Sequence, residues 1–221
     1  MTIDKLLDKF DKDVSNIVYK LSKNVETEFR NSSNQITFTL NDGLSDIKKE
    51  VNKLPNTPGL YYFEIDFAEF YKKLMGKEEW QEEDVTEYRA EKSYFYEEVL
   101  DPIWNGTAGG LRGTGTYPKI IKKRFDYHFR KNPPRNSFKS GWVPFYLGKH
   151  EKSIKNRVRQ HITESGMRLF NFIDAEYYIF CKLPIRVSVA EIPNMTDKRK
   201  FLVAEVEKNL REKLHPIIGK Q

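Results

Sequence analysis

The sequence predicts an α+β protein, and three observations carry that prediction. Apolar residues recur every three or four positions along 4–30, 44–54, 153–164 and 196–214, the period of helices buried along one side. Runs rich in aromatic and β-branched residues lie at 36–40, 59–67, 142–149 and 176–192, as strands do. With 221 residues, 38% of them hydrophobic and 14% aromatic, the chain has enough core-forming material for one large domain or a compact core with added segments.

Each element follows in order. Leu6, Leu7, Phe10, Val14, Ile17, Val18 and Leu21 define one long amphipathic helix over 4–30, which either packs on the core or forms a dimer contact. Ile36 to Leu40 alternates as a short strand, and Asn41-Asp42-Gly43 marks a turn. A short amphipathic piece, 44–54, ends before Pro55 and Pro58, and GLYYFEIDF over 59–67 reads as a buried strand. Residues 68–100 are helical and acidic, the five glycines of 105–118 require a loop, and 119–131 is basic, aromatic and helical. WVPFYLGK over 142–149 is a strand, followed by a helix from Ser153 to Glu164 and one or two strands within 176–192. The last helix starts at the Thr196-Asp197 capping pair, ends at Leu214 and is stopped by Pro216.

Composition narrows the function. No apolar run approaches the roughly 20 residues that span a bilayer, and the N-terminus lacks the apolar segment of a secretion signal. The single cysteine, Cys181, forms no internal disulfide and no cysteine-based zinc site. A soluble, cytoplasmic protein is the expectation. Its net charge of +6 and pI near 9.1 make nucleic acid a natural partner.

Three groups of residues stand out. Glu207 interrupts the apolar stripe Val203, Val206, Leu210 and Leu214 of the last helix. A carboxylate there costs several kcal/mol unless it reaches water, pairs with a cation or binds a metal. Arg157 and His161 stand at i and i+4 beside the apolar row Ile154, Val158 and Ile162, either as a basic surface stripe or as a pair aimed into a cleft. Tyr61 and Tyr146 lie on strands within Gly59-Leu60-Tyr61 and Tyr146-Leu147-Gly148, positions that ordinary core tyrosines also occupy. His128, His150 and His215 have no metal-triad spacing and read as surface or loop residues.

Together these residues resemble the GIY-YIG nuclease family, with leucine for isoleucine in both tripeptides. The resemblance continues through YLGKHEKSIKNRVRQHI, where Arg157 matches the family's arginine and His161 the His or Tyr one turn later. It ends in EKNLREKLHP, where the family's metal-binding glutamate stands nine residues before a proline, which selects Glu207. Gly219 occupies the place where the family often has asparagine. The match covers 55–67 and 142–219.

The resemblance implies a small, mixed, three-stranded sheet flanked by helices over 55–67 and 142–221, with an N-terminal helical extension at 1–54 and a large insert at 68–141. It implies a divalent-metal-dependent DNA endonuclease leaving 5′-phosphates, and the compact elaborated core suggests a sequence-specific restriction enzyme of prokaryotic or phage origin. Glu207 would hold Mg²⁺ or Mn²⁺, and Arg157 would stabilise charge at phosphorus. Tyr61 would act as general base or orient the attacking water, and Tyr146 and His161 would position water and phosphate. Lys149 would either lower the Tyr61 pKa or contact phosphate. Arg112, Lys119, Lys122, Lys123, Arg124 and Arg130 of the insert are the expected contacts to double-stranded DNA, which a homodimer would cut on both strands. No membrane and no organic cofactor is expected. The alternatives are a non-catalytic nucleic-acid-binding module with the same fold and a structure-selective or RNA-directed nuclease.

Overall fold

The computed structural model of the protein describes residues 2–66, 123–124, 127–128, 141–163 and 183–218. The elements are α1 (Ile3–Arg30), β1 (Gln35–Phe38), α2 (Leu44–Asn52), β2 (Gly59–Asp66), β3 (Trp142–His150), α3 (Ile154–Thr163), β4 (Ile185–Glu191) and α4 (Asp197–Leu214). Local chemistry sets the boundaries. Asn31 ends α1 in an extended conformation, and its side chain accepts from Ser33 N in the following 3₁₀ turn. Ser153 Oγ accepts from Asn156 N at the start of α3, and Thr196 caps α4 by accepting from Arg199 N. The fold is α+β as expected, and among the described residues no helix is long and apolar enough to cross a membrane.

The sheet departs from expectation in two ways. It has four strands in the order β1-β4-β2-β3, and every pairing of strands is antiparallel. The extra strand is β1, which belongs to the segment expected to be a helical extension. Its Gln35–Phe38 backbone pairs with Ile185–Ser188 and covers the edge that β4 would otherwise expose. Among the described residues, the parallel element is an isolated bridge between Tyr146 and Ile218. The possible strand at 176–182 and the acidic, glycine-rich and most of the basic segments of the insert lie outside the described residues.

Helices cover both faces of the sheet, which is why β2 reads as a nearly unbroken apolar run. On one face Tyr61, Phe63 and Ile65 join Ile47, Val51, Ile154 and Val158 from α2 and α3. On the other, Leu60 and Tyr62 join Val18, Val25 and Phe29 of α1 and Val203, Val206 and Leu210 of α4. Phe29 stacks on Tyr62 with ring centroids 5.4 Å apart. Each such large buried side chain contributes roughly 1.5–3 kcal/mol of transfer free energy.

The C-terminal turn fixes what comes next to β3. His215 adopts a left-handed conformation at φ 50°, and Pro216 prevents α4 from continuing. The chain then runs back along β3, with Ile217 N donating to Pro144 O at 3.1 Å and Ile218 N to Phe145 O at 2.8 Å. This return holds α4, and Glu207 on it, beside the strand that carries Tyr146.

Candidate active site

β2 and β3 set the centre of the site through their register. Tyr61 lies opposite Gly148 and Phe63 opposite Tyr146, so both tyrosines face α3. α3 presents His161 to them, and the Tyr61 hydroxyl is 2.9 Å from His161 Nε2. Tyr146 is 5.1 Å from the His161 ring and 6.0 Å from the Tyr61 ring, centroid to centroid. The two glycines of the tripeptides have steric reasons. A Cβ on Gly148 would lie 2.5 Å from Tyr61 Oη and 2.6 Å from its Cζ, so only glycine lets that ring cross the strand. At Gly59 a Cβ would collide with the Ala190 carbonyl of β4.

Arg157 completes this half of the site. It lies one turn before His161, donates from Nη1 to Gln160 Oε1 at 3.1 Å, and its charge reaches both tyrosine hydroxyls. Burial dominates the Tyr61 hydroxyl and pushes its pKa well above the usual tyrosine value, with Tyr146 adding to the rise and Arg157 opposing it. Tyr146 is raised as well, first by burial, against the nearby charges of Arg211 and Arg157. Tyr61 is therefore a neutral phenol at physiological pH. The expectation that Lys149 lowers the Tyr61 pKa is corrected by the pleat: Lys149 pairs with Leu60, whose side chain faces the α1 and α4 side, opposite Tyr61. The Lys149 charge acts on Glu207 instead.

The second half of the site comes from α4. Val203, Val206 and Leu210 are buried in the stripe where the sequence places Glu207, and Glu207 is itself only 9% exposed. Its Oε1 accepts from Arg211 Nη2 at 2.6 Å, and the same guanidinium donates to Leu147 O from Nη2 at 2.9 Å and from Nε at 3.2 Å. Burial raises the Glu207 pKa above the ordinary carboxylate value despite the opposing charges of Arg211 and Lys149. Arg211 is the residue that sequence reasoning missed. Its signal was present, since a cation four residues after Glu207 shares its helix face.

The two halves meet at β3, the edge strand. Tyr146 senses Arg157 from the α3 side and both Arg211 and Glu207 from the α4 side. All six expected catalytic positions, Tyr61, Tyr146, Lys149, Arg157, His161 and Glu207, thus lie on or against one strand. Among the described residues no group of three or more His, Cys, Asp and Glu could enclose a metal ion. One carboxylate can hold a hard divalent ion that keeps most of its waters and takes phosphate oxygens as further ligands, but the Arg211 and Lys149 charges beside Glu207 oppose such an ion. Glu207 is the residue here that would hold it, in competition with Arg211.

The expected nucleic-acid contacts divide. Lys123 is exposed, but Arg124 is buried, and its Nη1 donates to Pro216 O at 3.2 Å. Arg124 thus meets the C-terminal turn and is not the exposed cation that the sequence led one to expect. Arg112, Lys119, Lys122 and Arg130 lie outside the described residues. Of the three histidines expected at the surface or in loops, His128 differs. His128 is buried, with Nε2 donating to His215 O at 2.7 Å, and burial lowers its pKa to about 4. His150 accepts from Ser153 N through Nδ1, and burial together with the Arg157 charge lowers its pKa. Comparisons of the chain with protein-family models, with curated proteins and with solved structures return no match.

Proposed function

We propose that the chain is a GIY-YIG-type nuclease that hydrolyses phosphodiester bonds in double-stranded DNA with a divalent metal. The observation that carries this reading is the convergence on β3 of a tyrosine–histidine–arginine group from one face and a buried carboxylate from the other. Phosphodiester hydrolysis needs an oriented water, a cation at phosphorus and stabilisation of the leaving oxygen. Arg157 supplies the permanent planar cation. Tyr61, held neutral, orients the water as a hydroxyl, and His161 at 2.9 Å is placed to take its proton. Tyr146 positions the phosphate, with Lys149 as a phosphate contact near Glu207. A metal at Glu207 would neutralise charge on the phosphate and leaving oxygens.

Within this reading the enzyme is a cytoplasmic, sequence-specific restriction endonuclease that leaves 5′-phosphates, and the remaining basic residues of the insert hold the duplex. One observation favours a second reading. Glu207 is already matched by Arg211, as a structural ion pair in a non-catalytic nucleic-acid-binding module would be. Supercoiled plasmid incubated with Mg²⁺ or EDTA, wild type beside Glu207→Gln, separates the two. Discrete linear fragments from wild type with Mg²⁺ alone support the nuclease. Gel-shift binding without cleavage of any DNA, branched DNA or RNA would establish the binding module.

A further inference from the structure

We propose that α1 joins two copies of this chain through an antiparallel helix pair, independently of the nuclease reading. The helix carries two apolar stripes. Val18, Ser22, Val25 and Phe29 are buried against the α4 side of the core. Ile3, Leu7, Phe10, Val14, Ile17 and Leu21 form a second stripe, spaced four and three alternately over three heptads and roughly 70° around the helix. That seam faces outward. Leu7 is 55% exposed, Phe10 59% and Ile17 46%, while Val14 alone is half-buried at the margin of the core. An alternating four–three seam is the pattern that matches another helix at a shallow crossing angle, and among the described residues the core uses only the Val14 position of it.

Charge complementarity selects a second copy and one register. Flanking the seam are Asp4 and Asp11 on one side and Asp13 and Lys20 on the other. With Val14 of one copy against Ile17 of the second, antiparallel geometry sets Asp13 beside the second copy's Lys20, and the two-fold axis repeats the pair. Phe10 then meets Leu21 across the axis. Sliding by one heptad in one direction sets Asp13 against Asp13 and Asp11 against Asp11, and in the other direction Lys20 against Lys20. A parallel pair gains no opposite charges, since Asp13 would meet Val18, and it crowds both globular parts at the same helix end. The antiparallel register keeps them at opposite ends.

Sedimentation equilibrium of the full chain from low to high micromolar concentration tests this. Wild type should show twice the chain mass of 26.2 kDa. Phe10→Asp should shift it to the monomer with an unchanged circular dichroism spectrum. Asp13→Lys and Lys20→Asp should each weaken the dimer at least about tenfold, and the double exchange should restore it, because opposite charges again meet. The exchange series alters exposed residues only, so it decides the matter even if Phe10→Asp fails to fold. A monomeric wild type would overturn the proposal. A dimer indifferent to Phe10→Asp would place the interface elsewhere, and failure of the double exchange to recover would refute the antiparallel register.

Discussion

Glu207→Gln separates what the carboxylate does for chemistry from what it does for folding. The Glu207 and Arg211 side chains are 11% and 15% exposed, and their contact is 2.6 Å. Burial still outweighs the neighbouring cations, so the carboxyl binds its proton more tightly in the folded chain than in the unfolded one. Its ionised form therefore costs stability above the raised pKa, and the cost fades as pH falls through that value. Glutamine removes the charge but keeps an oxygen that accepts from Arg211 Nη2. Glu207→Gln should unfold within about 1 kcal/mol of wild type at neutral pH, on the stable side, with the advantage shrinking in acid solution as the carboxyl takes up its proton. Glu207→Ala removes the acceptor as well; losing a charge-assisted bond costs about 1.5–3 kcal/mol, roughly 3–12 °C for a chain of this size. Both variants should lose plasmid cleavage by at least about 10³ in Mg²⁺. Thermal unfolding by circular dichroism at neutral and at acid pH, beside the cleavage assay, reads all of this. Glutamine as damaging to stability as alanine would refute the reasoning, because the carboxylate would then be a structural partner of Arg211. Cleavage by Glu207→Gln near the wild-type rate would refute the metal assignment.

Tyr61→Phe deletes the hydroxyl at His161 while keeping the ring, so it should cost about 1 kcal/mol of stability and slow cleavage about 10²–10³-fold; a wild-type rate would remove the phenol from the mechanism. Gly148→Ala should disrupt cleavage by displacing the Tyr61 ring, and Gly148→Ala combined with Tyr61→Phe should then cost little beyond the worse single change; additive losses would show that the glycine acts elsewhere. Arg157→Ala should lower the single-turnover rate about 10²–10³-fold with DNA affinity nearly kept, and near-normal turnover would exclude it as the cation at phosphorus. His128 should make the fold acid-sensitive. Neutral in the folded chain with a pKa of about 4, it costs wild type up to about 3 kcal/mol as pH falls from about 6.5 to 4, a loss that His128→Gln should spare. Parallel unfolding curves for the two proteins across that range would contradict its burial.

Among the described residues periodicity revealed the helices to within a residue or two, and Thr196, Ser153 and Asn31 carry caps in the sequence. The fourth strand was harder to place. Ile36 to Leu40 reads as a strand, but which edge it joins depends on a pairing with β4 some 150 residues away that no local pattern encodes. Glu207 was legible because it breaks a stripe, a local conflict that points to a site. Of the two roles open to Lys149, lowering the Tyr61 pKa fails for an equally local reason. The lysine follows Gly148, so it looks adjacent to Tyr146 along the chain, yet the pleat sends its side chain to the other face. Arg124 looked like one cation of a basic run, and only the position of the Pro216 carbonyl shows that its charge is spent inside the protein.

The placement of the site on an edge strand explains why both faces can supply it. A central strand such as β2 is walled by helices on each side, so groups on opposite faces stay separated by the sheet itself. Among the described residues β3 has a ladder partner on one side only, with the return of Ile217 and Ile218 covering part of the other. On that margin Tyr146 feels Arg157 of α3 and Arg211 of α4. Arg211 holds the geometry by gripping the Leu147 carbonyl while it steadies Glu207. The same grip fixes the pleat that separates Lys149 from Tyr61 and leaves Gly148 beneath the Tyr61 ring. Gly148 thus leaves room for the Tyr61 ring on one face of β3, while Arg211 ties the Leu147 carbonyl to Glu207 on the other, and Tyr146 stands between the charges of both helices.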